Sequence, residues 1–286
     1  MRKIIVINKK TFYEFCFVDK VGRQRCAAMK FSSSDVLRFK KMHEAHQSTL
    51  GEVKRVLAKY RVPCRVSHRK AHIDYTQYDF VITVGGDGTF LQAARHLTTQ
   101  PILGVNSDPE RSVGKFCAAH KENFEEFFLG VLHQKRKAVE LSRISLDTDR
   151  MKRAWLVLND MLICDVNPAA MSRYLLTIGS VSEEQRSSGL WVATASGSTG
   201  AIHSCGAIPL KKTSQKILYR PRELYYKLRR QYRLTGKAID ARKPIQVRSL
   251  MRKGVIYIDG AHFKVPFAYG DVAIIRRSPF SIKSFM

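Results

Sequence analysis

The spacing of apolar residues changes character about half-way along the chain. Residues 3–8 (Lys-Ile-Ile-Val-Ile-Asn) hold a four-residue apolar run, which predicts a short buried strand. From Ser33 to Tyr60, Val36, Phe39, Met42, Leu50, Val53, Val56, Leu57 and Tyr60 recur mostly at spacings of three and four. That predicts one or two amphipathic helices with Ser34 or Asp35 as N-cap. Arg65–His68 is a further strand candidate, and Asp79–Val84 is a β-branched run that stops at glycines, as a buried strand does. Phe90–Leu97 reads as a helix, Pro101–Asn106 as a strand and Lys121–Leu132 as a helix. Strand–helix–strand alternation predicts a doubly wound parallel sheet, with ligands at the carboxyl ends of its strands.

After Lys135-Arg136-Lys137 the pattern shortens. Trp155–Val166, Tyr174–Ile178, Gly189–Thr194, Gly254–Asp259 and Asp271–Arg276 all resemble short strands separated by Gly, Pro and polar turns. The expected organisation is therefore an α/β nucleotide domain over residues 1–137, followed by a mostly-β domain, a β-sandwich, over residues 138–286.

Composition narrows the function classes. The 286 residues are 44% hydrophobic and 26% charged, which excludes a disordered or collagen-like chain. Fifty Lys+Arg against 24 Asp+Glu give a net charge of +26, so anionic partners are favoured: nucleic acid, acidic membranes or polyphosphates. Fifteen basic residues and two acidic ones lie between Lys211 and Lys253, a net +13 interleaved with Tyr219, Tyr225, Tyr226 and Tyr232. A solvated face (a surface helix over 221–233) and an electrostatic funnel for polyphosphate account for this stretch equally well. Specific nucleic-acid binding ranks below both. The six cysteines have no zinc-ligand spacing and are expected to be reduced, mostly packed thiols. The first apolar run is too short for a signal peptide or a membrane span, so a cytoplasmic protein is expected.

The chemistry concentrates at Val84-Gly85-Gly86-Asp87-Gly88-Thr89, between the most strongly patterned strand and a helix. Three glycines in four positions allow unusual backbone angles and close approach of a ligand, and a helix N-terminus favours anions. A carboxylate in such a loop repels phosphate unless it holds Mg²⁺ or takes a proton from an attacking hydroxyl. The turn lacks the Lys-Ser/Thr ending of a P-loop. Taken alone, Asp87 would read as a helix N-cap.

This turn resembles the signature shared by NAD kinases, diacylglycerol and sphingosine kinases and, more loosely, phosphofructokinases. Further segments are similar to the NAD kinase family in order and spacing: Asn159-Asp160 within the strand 158–163, Thr194-Ala195-Ser196-Gly197-Ser198-Thr199-Gly200, and Asp259-Gly260 followed by Pro266 and Gly270-Asp271. Gly104-Val105-Asn106-Ser107-Asp108-Pro109-Glu110-Arg111-Ser112 and Ser187-Ser188-Gly189-Leu190-Trp191 resemble the mitochondrial-type NAD kinase and plant NADH kinase branch.

The resemblance implies a phosphotransferase that phosphorylates the 2′-hydroxyl of the adenosine ribose of NAD or NADH, with ATP as donor and Mg²⁺ carried without dedicated protein ligands. It implies Asp87 as the catalytic carboxylate and Gly85, Gly86, Gly88 and Thr89 as the cradle for the donor phosphates. Asn159 and Asp160 would meet ribose hydroxyls, and Ser196, Thr199, Gly200 and Ser204 would line the adenosine side. A homodimer or homotetramer and no membrane partner are implied as well. Three positions depart from the family pattern: Asp160 stands for Glu, Ala201 for an aromatic residue, and Ser188 for an Asp expected near the nicotinamide amide.

The competing readings are a lipid or sphingoid-base kinase with the same turn, and a basic nucleic-acid-binding protein on a degenerate nucleotide fold. Simpler roles stand beside the sharper ones elsewhere: His203 and His262 as structural or surface histidines, Trp155 and Trp191 as core, and Asp108-Pro109 as a turn.

Overall fold

In the computed structural model, which describes residues 3–150, 154–225, 227, 232–240 and 242–286, the first apolar run forms β1 (Ile4–Asn8). It lies between β2 (Cys64–His68) and β3 (Phe80–Gly85), and β3 pairs with β4 (Ile102–Asn106), all in parallel. Along one edge of β4, β19 (Ile282–Phe285) pairs with Ile102 and Leu103, and β5 (Cys117–His120) pairs with the rest. The changeover falls at Gly104, where a Cβ would stand 2.9 Å from the Cys117 Cα.

Among the described residues the α-helices of this unit are α1 (Lys20–Cys26), α2 (Ser33–Lys59), α3 (Asp87–Ala94) and α4 (Phe124–Leu132). Ile4, Val6, Ile82, Val84 and Val105 share one cluster with Leu50, Val53 and Leu57 of α2 and Phe124 and Phe128 of α4. The alternate positions Ile5, Ile7 and Val81 point to the opposite face and are also fully buried. Strands clad on both faces are what a parallel α/β sheet requires.

Details differ from the sequence expectation. The two apolar runs between Ser33 and Tyr60 are one helix, and its cap is Ser32 rather than Ser34 or Asp35. Ser32 Oγ accepts the Asp35 N–H at 3.1 Å, while the Asp35 carboxylate accepts the Ser32 N–H at 3.1 Å. This is a capping box with Asp35 at its third helical position. Cys16 and Cys26 form a disulfide, with Cα atoms 5.5 Å apart, so the expectation of six thiols is corrected for this pair. The turn at Asp19, whose carboxylate accepts the Val21 N–H at 3.0 Å, brings the two cysteines together. Cys64, Cys117, Cys164 and Cys205 are free, and Cys64 is exposed rather than packed.

The chain divides into two units, one running to Val139 and including Lys283–Met286, the other Glu140–Ile282. The last residues thus leave the second unit, unlike the expected 138–286 span. Phe285 packs on Phe80 with ring centroids 5.7 Å apart, and Ser284 is fully buried. β6 (Val139–Leu141) straddles the boundary.

In the second unit, one sheet holds β7 (Ile144–Thr148), β8 (Trp155–Val157), β10 (Ser172–Ile178), β11 (Val181–Ser187), β15 (Ile245–Ser249) and β18 (Val272–Arg277), in the order β11-β10-β15-β18-β7-β8. The other holds β9 (Asp160–Asp165), β12 (Leu190–Ala193), β13 (Ile217–Pro221), β14 (Lys237–Ile239), β16 (Gly254–Ile258) and β17 (Lys264–Pro266), in the order β14-β13-β12-β9-β16-β17. The strand pairs within both sheets are antiparallel. Leu146, Leu176, Val247 and Ile275 of the first and Met161, Ile163, Val192 and Ile256 of the second join one cluster, so the unit is a β-sandwich.

Buried Arg143 fastens the end of this unit. Its Nε donates to the Phe280 carbonyl at 2.9 Å and its Nη2 to the Ser281 carbonyl at 3.2 Å. Of the expected helix over 221–233, residues 226 and 228–231 lie outside the described residues; Pro221 itself ends β13 and residues 222–225 are bend and irregular chain, so no helix starts at Pro221.

One buried group couples the first unit to pH. His46 of α2 is 1% exposed, with Nδ1 3.1 Å from Ser107 Oγ. Burial, then the Lys9 charge, hold its imidazole down at about 4, against 6.5 when unfolded. Because the folded value is depressed, the unfolded chain binds the extra proton. This contribution is complete above pH 6.5 and is lost as pH falls toward 4. We expect urea unfolding to show a loss of about 3 kcal/mol from this group across that window, and His46→Gln to remove that part of the slope. An unchanged slope in the variant would show that His46 titrates normally.

Candidate active site

The glycine turn joins the end of β3 to the start of α3. Gly85 closes the strand, Gly86 is the N-cap, and Asp87 is already the first helical residue. None of Gly85, Gly86 and Gly88 has a left-handed φ, so backbone freedom is not why they are glycines. Close approach is the reason for two of them. A Cβ on Gly85 would collide with the Thr89 side chain, and one on Gly86 would stand 2.9 Å from Ser112 Oγ. Gly88 is exposed, and its nearest non-neighbouring atom is Arg69 Nη1, 3.8 Å from the Cβ position. Thr89 is buried, and its N–H bonds the Gly86 carbonyl at 2.9 Å, so its side chain shapes the turn from inside.

Asp87 does not cap its own helix, which corrects the simplest reading of it. Its Oδ1 accepts the Phe116 N–H at 2.8 Å and its Oδ2 the Lys115 N–H at 3.0 Å. The half-buried carboxylate therefore holds the segment that follows β4. That segment is itself braced. Ser107 N–H donates to the Gly85 carbonyl at 2.9 Å, Asn106 Oδ1 accepts the Asp108 N–H at 3.1 Å, and Asn106 Nδ2 donates to the Ser112 carbonyl at 2.9 Å. Asp108-Pro109 is the turn the sequence suggested, with Arg111 Nη1 3.1 Å from the Asp108 carboxylate.

Two cations that sequence reasoning missed stand at the same carboxyl ends: Lys9 after β1 and Arg69 after β2. Burial pushes both their values down, and for Lys9 the neighbouring Asp108 charge opposes the fall. Burial, aided by the Asp87 charge, also pushes the Cys117 thiol up to about 12, so it is neutral. The available signal for Lys9 and Arg69 was position: each immediately follows a strand of a parallel sheet, where ligands bind.

In the second unit, three of the sequence motifs converge. Asn159 lies in the bend before β9 and Asp160 opens that strand. The Asp259 carboxylate accepts the Asn159 N–H at 2.7 Å and the Leu158 N–H at 3.3 Å, while the Asp259 N–H donates to the Asp160 carbonyl at 2.8 Å. The Ser196–Gly200 turn packs on the same bend. A Cβ on Gly197 would land on the Asn159 carbonyl, and one on Gly200 would stand 3.5 Å from Asp160 Oδ2 and 3.9 Å from Asn159 Nδ2. Asp160 and Ser196 are buried and Thr199 is exposed. Ser204 ends the short helix α5 (Ala201–Ser204), also exposed. His203 Nδ1 lies 2.9 Å from the Ala207 carbonyl, a structural contact.

A cavity of about 400 Å³ opens beside Asp160, lined by Trp191, Leu162, Tyr257, Gly260 and Lys264. Four of these form one row across the sheet: Trp191 pairs with Leu162, Leu162 with Tyr257, and Tyr257 with Lys264. Their strand neighbours Val192, Ile163 and Ile256 are core. Trp191 is thus half-buried: it walls the cavity and packs on the small buried cluster of Ala193, Ile202, Ala207 and Leu218. Near the departure at Ser188, its hydroxyl donates to the Glu223 carboxylate, so a carboxylate does stand beside that position. Among the described residues no group of three or more His, Cys, Asp or Glu side chains converges as a metal site.

Comparison with known proteins gives a consistent set of similarities. The pattern of the ATP-NAD kinase N-terminal domain matches residues 6–125. A probable NADH kinase of Oryza sativa subsp. japonica is 35% identical over 215 residues, covering 68% of this chain and 66% of that protein. The NADH kinase of Arabidopsis thaliana is 32% identical over 204 residues, 63% of this chain and 64% of that protein. The match therefore spans just under two thirds of the length of each plant relative. A crystal structure of an NAD kinase from Archaeoglobus fulgidus in complex with ATP shares the fold, with a TM-score of 0.71 at 21% identity over 99% of this chain and 93% of that one.

The clasp on Asp87 has a measurable consequence. Asp87→Ala leaves the Lys115 and Phe116 N–H groups without their acceptor and should lower unfolding stability by about 1–3 kcal/mol. Urea unfolding checks this; unchanged stability would mean the two bonds contribute nothing to the fold.

Proposed function

We propose, from the premise that this chain belongs to the NAD kinase family, that it transfers the γ-phosphoryl group of ATP to the 2′-hydroxyl of the adenosine ribose of NAD or NADH. The bond from the 2′-oxygen to phosphorus forms, the bond from phosphorus to the ADP oxygen breaks, and the hydroxyl proton leaves toward the Asp87 carboxylate. The products are NADP(H) and ADP. The observation that carries the reading is the Asp87 carboxylate, held by two main-chain amides beside a glycine turn whose exposed member, Gly88, leaves room for a ligand. Such fixed groups supply the positioning on which phosphoryl transfer mostly depends.

In this reading Gly85, Gly86, Gly88 and the main chain of Thr89 receive the donor phosphates. Asn159 and Asp160 receive ribose hydroxyls, and Ser196, Thr199, Gly200 and Ser204 flank the adenosine. The shorter Asp160 is supported by its place next to Gly200, where the missing side chain brings ligand and carboxylate closer. Trp191 and Tyr257 offer aromatic walls that stand in for the aromatic residue replaced by Ala201. Mg²⁺ fits a site with one carboxylate, because it usually keeps water and substrate phosphates as most of its ligands. Asp87 is the side chain that would face it, and the ion would neutralise donor charge. We further propose a cytoplasmic homodimer or homotetramer, on family resemblance.

The competing readings are not favoured. A lipid kinase does not account for the convergent 159–160, 194–200 and 259–260 segments. For nucleic-acid binding, the basic stretch is the sole support. The test is an initial-rate comparison of NAD and NADH, each with ATP and with polyphosphate. We expect NADP or NADPH with ATP. Absence of 2′-phosphorylated product under all four conditions would refute the reading.

A further inference from the structure

One cation at the glycine turn is left unused by the chain itself. The Arg69 N–H donates to the Asn8 carbonyl at the end of β1 at 2.9 Å, and its own carbonyl accepts from Gln92 Nε2 of α3 at 2.9 Å. The residue is thereby pinned between β1 and the helix that starts at the turn. Its side chain is half-buried, its buried Nε has no hydrogen-bond partner, and among the described residues no carboxylate lies within ion-pair distance. Burial alone pushes its value down, so the site as it stands disfavours its charge.

Gly88 stands beside this guanidinium. Its φ is not left-handed, and an alanine there would make only an ordinary contact, 3.8 Å from Arg69 Nη1. Neither backbone conformation nor packing within the chain asks for glycine at this position. Gly88 is exposed to solvent, and the Arg69 guanidinium stands beside it at contact distance. Lys9 adds a second positive charge close enough for the two to repel, offset by Asp108. An unpaired guanidinium beside the first turn of a helix, with a second cation in electrostatic range, suits a polyanion.

We propose that Arg69 is a donor-phosphate ligand, its guanidinium closing over the Gly88 side of the turn to pair with terminal phosphate oxygens of the donor. The assignment rests on the kinase reading above. A guanidinium suits the task because its fork engages two phosphate oxygens at once, and the incoming charge offsets the cost of its burial. Arg69 thereby does from the end of β2 what the turn lacks through having no P-loop lysine.

The test uses the full chain. Calorimetric titrations with inorganic tripolyphosphate, ATP and adenosine accompany initial rates for Arg69→Gln, Arg69→Lys and Gly88→Ala. Arg69→Gln should weaken tripolyphosphate and ATP binding roughly 10- to 100-fold and raise KM for ATP, as loss of a charged hydrogen bond does. Adenosine affinity and KM for NAD(H) should stay unchanged, and Arg69→Lys should recover part of the loss. Gly88→Ala should also weaken tripolyphosphate without a change in Tm, and the charge-keeping Arg69→Lys decides the matter if Arg69→Gln fails to fold: its tripolyphosphate affinity should fall below wild type, and wild-type affinity there would overturn the assignment. A structural role would instead lower Tm and weaken all ligands alike. Wild-type tripolyphosphate affinity in Arg69→Gln, or no tripolyphosphate binding by the wild type, would overturn the assignment. Arg69-dependent tripolyphosphate binding without any NADP(H) formation would refute the kinase reading and leave Arg69 in place. NADP(H) formation with an unchanged KM for ATP in Arg69→Gln would refute Arg69 alone.

Discussion

The clasp of Lys115 and Phe116 main-chain amides on the Asp87 carboxylate is the interaction on which the first unit's chemistry depends. It ties the start of α3 to the segment after β4, and so fixes where the carboxylate lies relative to the glycine turn. A carboxylate on a free loop would repel phosphate and wander. Held by two donors, it keeps its acceptor direction and leaves lone pairs for a substrate proton or an ion. The second unit repeats the device with a different residue. Asp259 accepts two main-chain amides and thereby sets Asn159 and Asp160 against the Ser196–Gly200 turn. In both places an aspartate organises backbone, and backbone organises the site.

The legible part of the sequence was the part governed by regular alternation or by glycine. β1, β3 and β4 announced themselves as apolar runs, and the turn after β3 announced the site. What was hidden was hidden for definite reasons. β11 reads as Val-Ser-Glu-Glu-Gln-Arg-Ser because its inward residues are polar: buried Gln185 and Ser187 both bond the Tyr174 hydroxyl, at 3.2 Å and 2.8 Å. No hydrophobic period can reveal such a strand. The Ser32 cap was missed because Ser33, Ser34 and Asp35 are neighbouring cap residue types; the Ser32-to-Asp35 spacing of a capping box was the signal that singles it out. β19 was missed because a four-residue strand that returns to a distant sheet leaves no local mark.

Within the site, the glycines were found but for an incomplete reason. Angular freedom and close approach of a ligand were the expectation; for Gly85 and Gly86 the finding is close contact within the chain, with Thr89 and Ser112. Lys9, Arg69 and Tyr257 carried no motif at all; only the ends of strands and the outward phase of β16 place them. The charge excess of +26 also gains a partial physical account. Lys9 and Arg69 place two half-buried cations at the carboxyl end of the sheet, whereas Lys211, Lys212 and Lys216 are exposed to solvent, as a solvated face requires.

The proposed chemistry turns on Asp87 acting on the proton of the attacking hydroxyl. The most direct measurement is the single-turnover rate of NADP(H) formation for Asp87→Asn, at saturating nucleotide and alongside its ATP and NAD(H) affinities. Nucleotide binding should stay within a few-fold of wild type while the chemical step slows by about 10²–10⁴-fold. A single-turnover rate close to wild type would contradict that role of Asp87.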